Sequence, residues 1–127
     1  MKTSKAVIVG RILSGFVVLF FGFNVAVKLF PAVFYPQMIE QMEAIGLSAT
    51  ILPTIALLEL LCTVLYLIPA TSVLGAILFT GYLGGAILTH LRVGQGATMQ
   101  VTFGILIWLG IYLRESRLHS LIPIRRK

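Results

Sequence analysis

Four stretches of the chain are apolar on nearly every side of a helix. They cover roughly residues 11–30, 51–68, 73–91 and 98–114. A helix needs about 20 residues to cross the hydrocarbon core of a bilayer, with a range of about 17–25, so all four are long enough to span it. A buried helix of a soluble protein would place polar residues on one face at every turn, and these stretches do not. The pattern predicts an all-α, integral membrane four-helix bundle that forms one domain over residues 1–127.

The segment between the first two apolar stretches has a different pattern. In "PQMIEQMEAIG", Pro36 suits a helix start and Gly46 a helix end. Polar residues take one face of the intervening turns, and apolar residues recur on the other face at Met38, Ile39, Met42 and Ile45. The pattern predicts a short amphipathic helix in the first outer loop, which lies on the outer leaflet or packs over the bundle as a lid.

Composition indicates that lipid is the solvent, because 58% of the residues are hydrophobic and 11% are charged. Soluble proteins carry about 25% charged residues. The net charge of +6 comes from basic residues clustered at both ends of the chain, which is a membrane-topology signal and argues against nucleic acid as a partner. Basic flanks stay in the cytoplasm, so we expect a multi-pass protein of the cell membrane with both termini cytoplasmic. A cleaved signal peptide is the alternative for the first stretch, although Asn24-Val25-Ala26 is a weak cleavage match.

Polar residues inside the apolar stretches are the candidates for chemistry. Glu59 lies near the middle of the second stretch, where an acidic residue costs about 2.5–3.5 kcal/mol to insert, so it should face the bundle interior. Asn24 and Lys28 lie one helical turn apart on the first stretch. We expect Lys28, Asn24 and Glu59 to form one polar network. Glu59 then carries a proton, hydrogen-bonds a ligand or forms a structural pair, and Lys28 alternatively reaches to the headgroups.

Glycines interrupt the third stretch in "GYLGGAILTHLRVG". On an ideal helix Gly81, Gly84 and Gly85 occupy one face, and such a face lets another backbone approach closely in lipid. Gly22 and Ala26 on the first stretch form a matching small-residue pair. The pattern predicts that these five residues pack helices together.

His90 and Arg92 lie at the far end of the third stretch, and Tyr82 lies beside the glycines. His90 is interpreted either as a proton shuttle or ligand contact or as an interfacial histidine, and Arg92 either as an interface anchor or as a contact to a phosphate or a quinone carbonyl. The sequence contains one cysteine, Cys62, and two distant histidines, so it predicts neither a disulfide nor a metal site. No nucleophile–base pair is recognisable, and the sequence leaves open whether the protein is an enzyme.

The run "LLELLCTVLYLIPATSVLGAILFTGYLGGAILTHLRVG", followed by "WLGIYLRESRLHSLIP", resembles the DoxX-like family of small four-helix membrane proteins. The loop after Arg92 is shorter than in many relatives, and a proline at the start of the fourth stretch is missing. The resemblance implies a four-span bundle and a link to membrane subunits of thiosulfate–quinone oxidoreductases and redox-stress complexes. It also implies candidate site positions at Lys28, Glu59, Tyr82, His90 and Arg92.

Three functions are compatible with these patterns. The first is a redox-associated membrane subunit that has no cofactor of its own, binds a quinone-like lipophile in a polar intramembrane pocket and takes electrons from a redox partner protein. The second is a small-solute or proton pathway in a homo-oligomer. The third is a non-catalytic membrane partner or assembly protein that docks through its glycine face and outer helix. The candidate ligand-binding residues are Asn24, Lys28, Glu59, Tyr82, His90 and Arg92; Glu59, Tyr82 and His90 would hydrogen-bond the quinone in the first function.

Overall fold

The computed structural model describes residues 4–126, apart from the side chain of Ala49, and this part of the chain is helical and contains no strands. The α-helices are α1 (Lys5–Leu29), α2 (Pro31–Phe34), α3 (Met38–Ala44), α4 (Leu52–Leu67), α5 (Ser72–Arg92) and α6 (Thr98–Arg114). Short 3₁₀ turns cover Ala49–Ile51, Pro69–Thr71 and Ser116–Ser120. The prediction of an all-α chain is confirmed. The four long helices match the four predicted stretches, except that α1 begins earlier, where Ser4 Oγ caps it by accepting from the Val7 N–H at 3.2 Å.

The long helices α1, α4, α5 and α6 pack side by side in a ring. Helix α1 packs mainly against α4 and α6, and α5 packs against the same two neighbours. We call the end of this ring that holds the start of α1 and the finish of α6 the terminal end, and the opposite end, which holds α2 and α3, the loop end. By length and composition, α1 and the segment Pro69–Arg92 could each cross a membrane, whereas α4 and α6 are apolar but shorter, at 16 and 17 residues.

Aromatic side chains fill the centre of the ring. The rings of Phe20 and Phe103 stack with their centroids 3.9 Å apart, and Phe21 packs against Phe79 at 4.7 Å. Tyr66 and Phe79 are fully buried. The core is therefore built from side chains of all four long helices.

Helix packing through small residues occurs in this chain, but at other glycines than the sequence predicted. A Cβ at Gly10 would lie 2.7 Å from the Gly110 carbonyl oxygen, and one at Gly75 would lie 2.6 Å from the Cα of Tyr66. These glycines let α1 approach α6, and α5 approach α4, at the terminal end. Gly10 lies four residues from both Ala6 and Ser14, and Gly75 lies four residues from Thr71, so both belong to small-xxx-small pairs that the sequence prediction did not select.

The predicted glycine contacts are wrong within this chain. A Cβ at Gly22, Gly81, Gly84 or Gly85 would meet no atom within 4 Å, so no neighbouring helix lies close to these positions. The pairing of the α5 glycines with Gly22 and Ala26 therefore does not form. Periodicity placed the α5 glycines on a common side of the helix, but the neighbours of α5 pack against its other sides.

The amphipathic helix in the first loop is present as α3, preceded by the separate single turn α2. It begins at Met38 and not at Pro36, and Gly46 follows it with a positive φ of 87°. Met38 packs against Val27 of α1 and Leu52 of α4. Helix α3 therefore covers the loop end of the bundle, as the lid interpretation expected, while its position relative to a bilayer stays a prediction.

Candidate functional site

A buried ion pair joins α1 to α4. Lys28 Nζ donates to Glu59 Oε1 at 2.6 Å, and the two side chains are 8% and 2% exposed. Lys28 Nζ also lies 3.4 Å from the hydroxyl of Tyr82 on α5. The structure therefore brings together three of the six predicted ligand-binding residues, and it aims Glu59 inward as the sequence required.

Glu59 lies on a buried side of α4. The same side carries Cys62, Thr63 and Tyr66, which are all buried, and Thr63 Oγ1 donates to the Glu59 carbonyl oxygen at 2.7 Å. Removing two charges from water is costly, and a short contact between them offsets much of that cost. The ion pair therefore connects α1 to α4, and each of its charges has an opposite charge beside it.

Asn24 does not join this pair, so that part of the predicted network is wrong. Its Nδ2 donates to the Phe20 carbonyl oxygen of its own helix at 2.9 Å. A short polar side chain on a helix can bind the carbonyl one turn earlier, and here that contact takes the Asn24 amide away from Lys28.

Arg92 and His90 also lie apart from the ion pair. Arg92 Nη2 donates to the Ile45 carbonyl oxygen at 2.9 Å, so it fastens the end of α3 to the end of α5. His90 Nδ1 lies 2.8 Å from the Ala86 carbonyl oxygen. A carbonyl can only accept, so Nδ1 carries the hydrogen and Nε2 of the neutral ring is an acceptor. Gln100 of α6 lies beside it, with its Nε2 3.4 Å from His90 Nδ1.

An open groove of about 760 Å³ runs between α5 and α6, and we call it the α5–α6 groove. At about 1.5 Å per residue, the positions from Gln100 to Tyr112 span about 18 Å of the helix axis. Trp108 crosses the groove and donates from Nε1 to Thr80 Oγ1 at 2.7 Å. The lining residues are Thr80, Leu83, Gly84, Ile87, Gln100, Val101, Gly104, Ile105, Trp108, Leu109, Tyr112, Ile122 and Pro123. The lining is mostly apolar, and its polar side-chain groups belong to Thr80, Gln100, Trp108 and Tyr112.

Glycine creates part of this groove. Gly84 of α5 and Gly104 of α6 both line it, and a Cβ at Gly84 would enter empty space. The neighbouring Gly85 is equally open but does not line the groove. Of the three α5 glycines predicted to contact a helix, Gly84 thus lines this groove instead.

A second polar centre at the terminal end was missed by sequence reasoning. Arg114 of α6 donates from Nε to Ser14 Oγ at 2.9 Å, from Nη1 to Ser72 Oγ at 3.2 Å, and from Nη2 to the Tyr66 carbonyl oxygen at 3.3 Å. Its guanidinium also lies 5.0 Å from the centre of the Tyr66 ring. Arg114 therefore contacts all three other long helices. The signal for it was weak, because a basic residue at the end of an apolar stretch is typical of a topology flank.

The hydrogen bonds continue from Arg114 into the core. Tyr66 donates its only hydroxyl hydrogen to the Ile107 carbonyl oxygen at 2.7 Å, so Ser14 is the donor in its 3.2 Å contact with the Tyr66 hydroxyl. A cavity of about 350 Å³ opens beside this cluster, and Arg11, Ser14, Ser72, Arg114 and Glu115 are among its lining residues. We call it the terminal cavity.

Metal chemistry has no visible basis in residues 4–126, where no group of three His, Cys, Asp or Glu side chains could hold an ion. Neither the α5–α6 groove nor the terminal cavity is lined by Lys28, Glu59 or Tyr82. A ligand in either space would therefore meet other residues than the buried pair.

A model of the DoxX-like family matches residues 12–111, which include all four long helices in whole or large part. No curated protein and no solved structure matches the chain.

Proposed function

The chain belongs to the DoxX-like family, and from this premise we propose that it is a four-span membrane bundle that binds a quinone-like lipophile in the α5–α6 groove. The protein would act as the membrane subunit of a redox system. It supplies no electron carrier of its own, so a partner protein would exchange electrons with the bound quinone. The single observation that carries the proposal is the groove itself, a mostly apolar cleft with the Gln100 amide near its loop end.

The outer surface of the bundle supports immersion in lipid. Along α1, large apolar side chains form an exposed stripe that consists of Ile12, Phe16, Leu19 and Phe23. Similar exposed side chains cover α4, α5 and α6. Soluble monomers rarely expose continuous apolar patches larger than a few hundred Å². We therefore infer that all four long helices cross the membrane, with the terminal end cytoplasmic because its flanks are basic.

The shape of the α5–α6 groove suits an amphipathic lipophile. Its apolar length matches a hydrocarbon tail, and its loop end places the Gln100 amide next to His90. The amide N–H groups of Gln100 can donate to a quinone carbonyl, and its amide oxygen can accept from a quinol hydroxyl. The group expected to bind the head of the ligand is thus Gln100, which the sequence did not predict, whereas the predicted His90 lies beside Gln100 and does not line the groove.

The buried Lys28–Glu59 pair has a structural role in this proposal. Both charges are compensated within 2.6 Å, and the pair connects α1 to α4 without facing either described cavity. The solute or proton pathway built on Glu59 stays a prediction that no observation here favours.

Trp108 provides a direct test, because it is the single tryptophan of the chain and lines the groove. Quinones quench indole fluorescence at short range. We expect a benzoquinone with a short alkyl tail to quench the fluorescence of Trp108 in the purified protein. The quenching should reach a plateau as the quinone concentration rises, as binding to one site requires. Gly84→Phe should fill the groove without a clash and weaken this binding by at least about tenfold, which corresponds to about 1.4 kcal/mol.

Gly85→Phe is the matched control, since it adds the same ring one residue away and outside the groove. It should leave the quinone affinity unchanged. A quenching curve that never saturates, or one that is identical in the Gly84→Phe and Gly85→Phe proteins, would reject the groove as the binding site.

A further inference from the structure

The terminal cavity is lined by two arginines, Arg11 and Arg114, and within residues 4–126 neither forms an ion pair with a carboxylate. Arg114 donates to Ser14, Ser72 and Tyr66, and the acceptor atoms in all three contacts are neutral. Among residues 4–126, no carboxylate oxygen lies within 4 Å of a nitrogen of Arg114 or Arg11. Two cations that line one cavity without a direct carboxylate partner attract an anion.

The guanidinium of Arg114 has unused donors and a fixed orientation. A guanidinium has five N–H donors, and the three contacts of Arg114 occupy one on each nitrogen, which leaves two free. Its contacts to α1, α4 and α5 fix the plane of the guanidinium, and the Tyr66 ring lies on one side of it. A rigid fork with free donors suits two oxygens of one phosphate group.

Two further groups add positive potential at the terminal cavity, namely Arg11 and the first turn of α5. Arg11 precedes Ser14 by one turn of α1, lines the cavity and is exposed. Ser72 and Val73 form the first turn of α5 and also line it. The first backbone N–H groups of a 21-residue helix carry a partial positive charge.

One carboxylate also lines the cavity, but it is already paired. Both oxygens of Glu115 accept from Arg117, at 2.9 Å from Nε and 3.3 Å from Nη2. This hydrogen bonding holds the pKa of Glu115 below its ordinary value, so the carboxylate is charged. Arg114 adds a smaller electrostatic attraction, so this one carboxylate is shared by Arg117 and Arg114 and leaves the cavity with a net positive charge.

We propose that the terminal cavity is a phosphate site in which Arg11 and Arg114 together bind the phosphate of an anionic phospholipid headgroup or a free phosphate ion. The site is separate from the α5–α6 groove. The lipid source requires that the terminal end lie at a membrane surface, whereas the free-ion source does not, so the two sources can be told apart.

The experiment uses the full-length protein in detergent. Native mass spectrometry counts retained lipids after exposure to equal amounts of phosphatidylglycerol and phosphatidylcholine, and thermal unfolding is followed with inorganic phosphate against chloride at equal ionic strength. The test variant is Arg11→Gln, because Arg11 is exposed and its loss should not disturb folding. Arg125→Gln is the control, since it removes one exposed positive charge from the C-terminal tail without touching the cavity.

Loss of one charge-assisted contact should weaken phosphate binding by about tenfold. Preferential retention of phosphatidylglycerol that falls by this factor in Arg11→Gln, and is unchanged in Arg125→Gln, supports the headgroup source. Stabilisation by inorganic phosphate with the same dependence on Arg11, without lipid preference, supports the free ion. Equal effects of the two substitutions, or no preference for either probe, would overturn the proposal.

Discussion

The two polar centres of this bundle, the Lys28–Glu59 pair and the Arg114 cluster, surround their charges in different ways. Near the loop end, Lys28 and Glu59 neutralise each other at 2.6 Å and are almost fully enclosed. At the terminal end, Arg114 is surrounded by neutral oxygens and opens onto a cavity. The enclosed pair therefore connects two helices and has its charges matched, whereas Arg114 has two N–H donors that no protein atom accepts from in the described residues.

The largest effect is expected when the enclosed pair is broken. Glu59→Gln leaves the Lys28 ammonium buried without a counter-charge, which should cost about 3–5 kcal/mol of unfolding free energy. Unfolding of the protein in mixed micelles measures this loss.

The double variant Lys28→Met with Glu59→Leu removes both charges at similar volume and should recover most of that stability. If the single and double variants were equally unstable, the pair would not be what links α1 to α4. If both variants lost quinone binding while keeping their stability, Glu59 would belong to the ligand site after all.

Removal of Arg114 should have a smaller effect than removal of Glu59. Arg114→Gln takes away the charge itself, and the oxygens of Ser14 and Ser72 that it leaves can be hydrated through the terminal cavity. We expect a loss of about 1–3 kcal/mol, the range for several weakened hydrogen bonds. The same unfolding measurement checks it, and a loss above that of Glu59→Gln would reverse the comparison.

The tyrosine next to each centre should give the smallest effects. Tyr66→Phe removes a hydroxyl that donates at 2.7 Å inside the core, and we expect a loss of about 1–2 kcal/mol. Tyr82→Phe removes only a 3.4 Å contact to an already paired Lys28, so its effect should be below about 1 kcal/mol. Equal losses in a side-by-side comparison would show that Tyr82 is a full member of the enclosed pair.

The sequence predicted the enclosed centre better than the open one for a physical reason. Charges within an apolar stretch are so costly that Glu59 had to face inward, and Lys28 was the cation within reach. Arg114 carries no such signal, because an arginine at the end of an apolar stretch is equally stable in water or among headgroups. Asn24 was wrongly included because its helical position was right, while its amide binds the Phe20 carbonyl instead.

The glycines of α5 also show what helical periodicity cannot predict. Helical periodicity places Gly81, Gly84 and Gly85 on one side of α5, and this holds for any helix. It does not say which side of α5 meets α4 and α6. The close approaches occur instead at Gly10 and Gly75, where a side chain would collide with the backbone of the next helix.

By itself, the sequence determined the helices, their apolar exteriors and the inward direction of Glu59, because each follows from local spacing and the cost of placing a charge in lipid. The tertiary structure decided which faces meet, and hence where the α5–α6 groove opens and why Arg114 gathers Ser14, Tyr66 and Ser72. Those contacts depend on shape complementarity between segments distant along the chain, which no local pattern encodes.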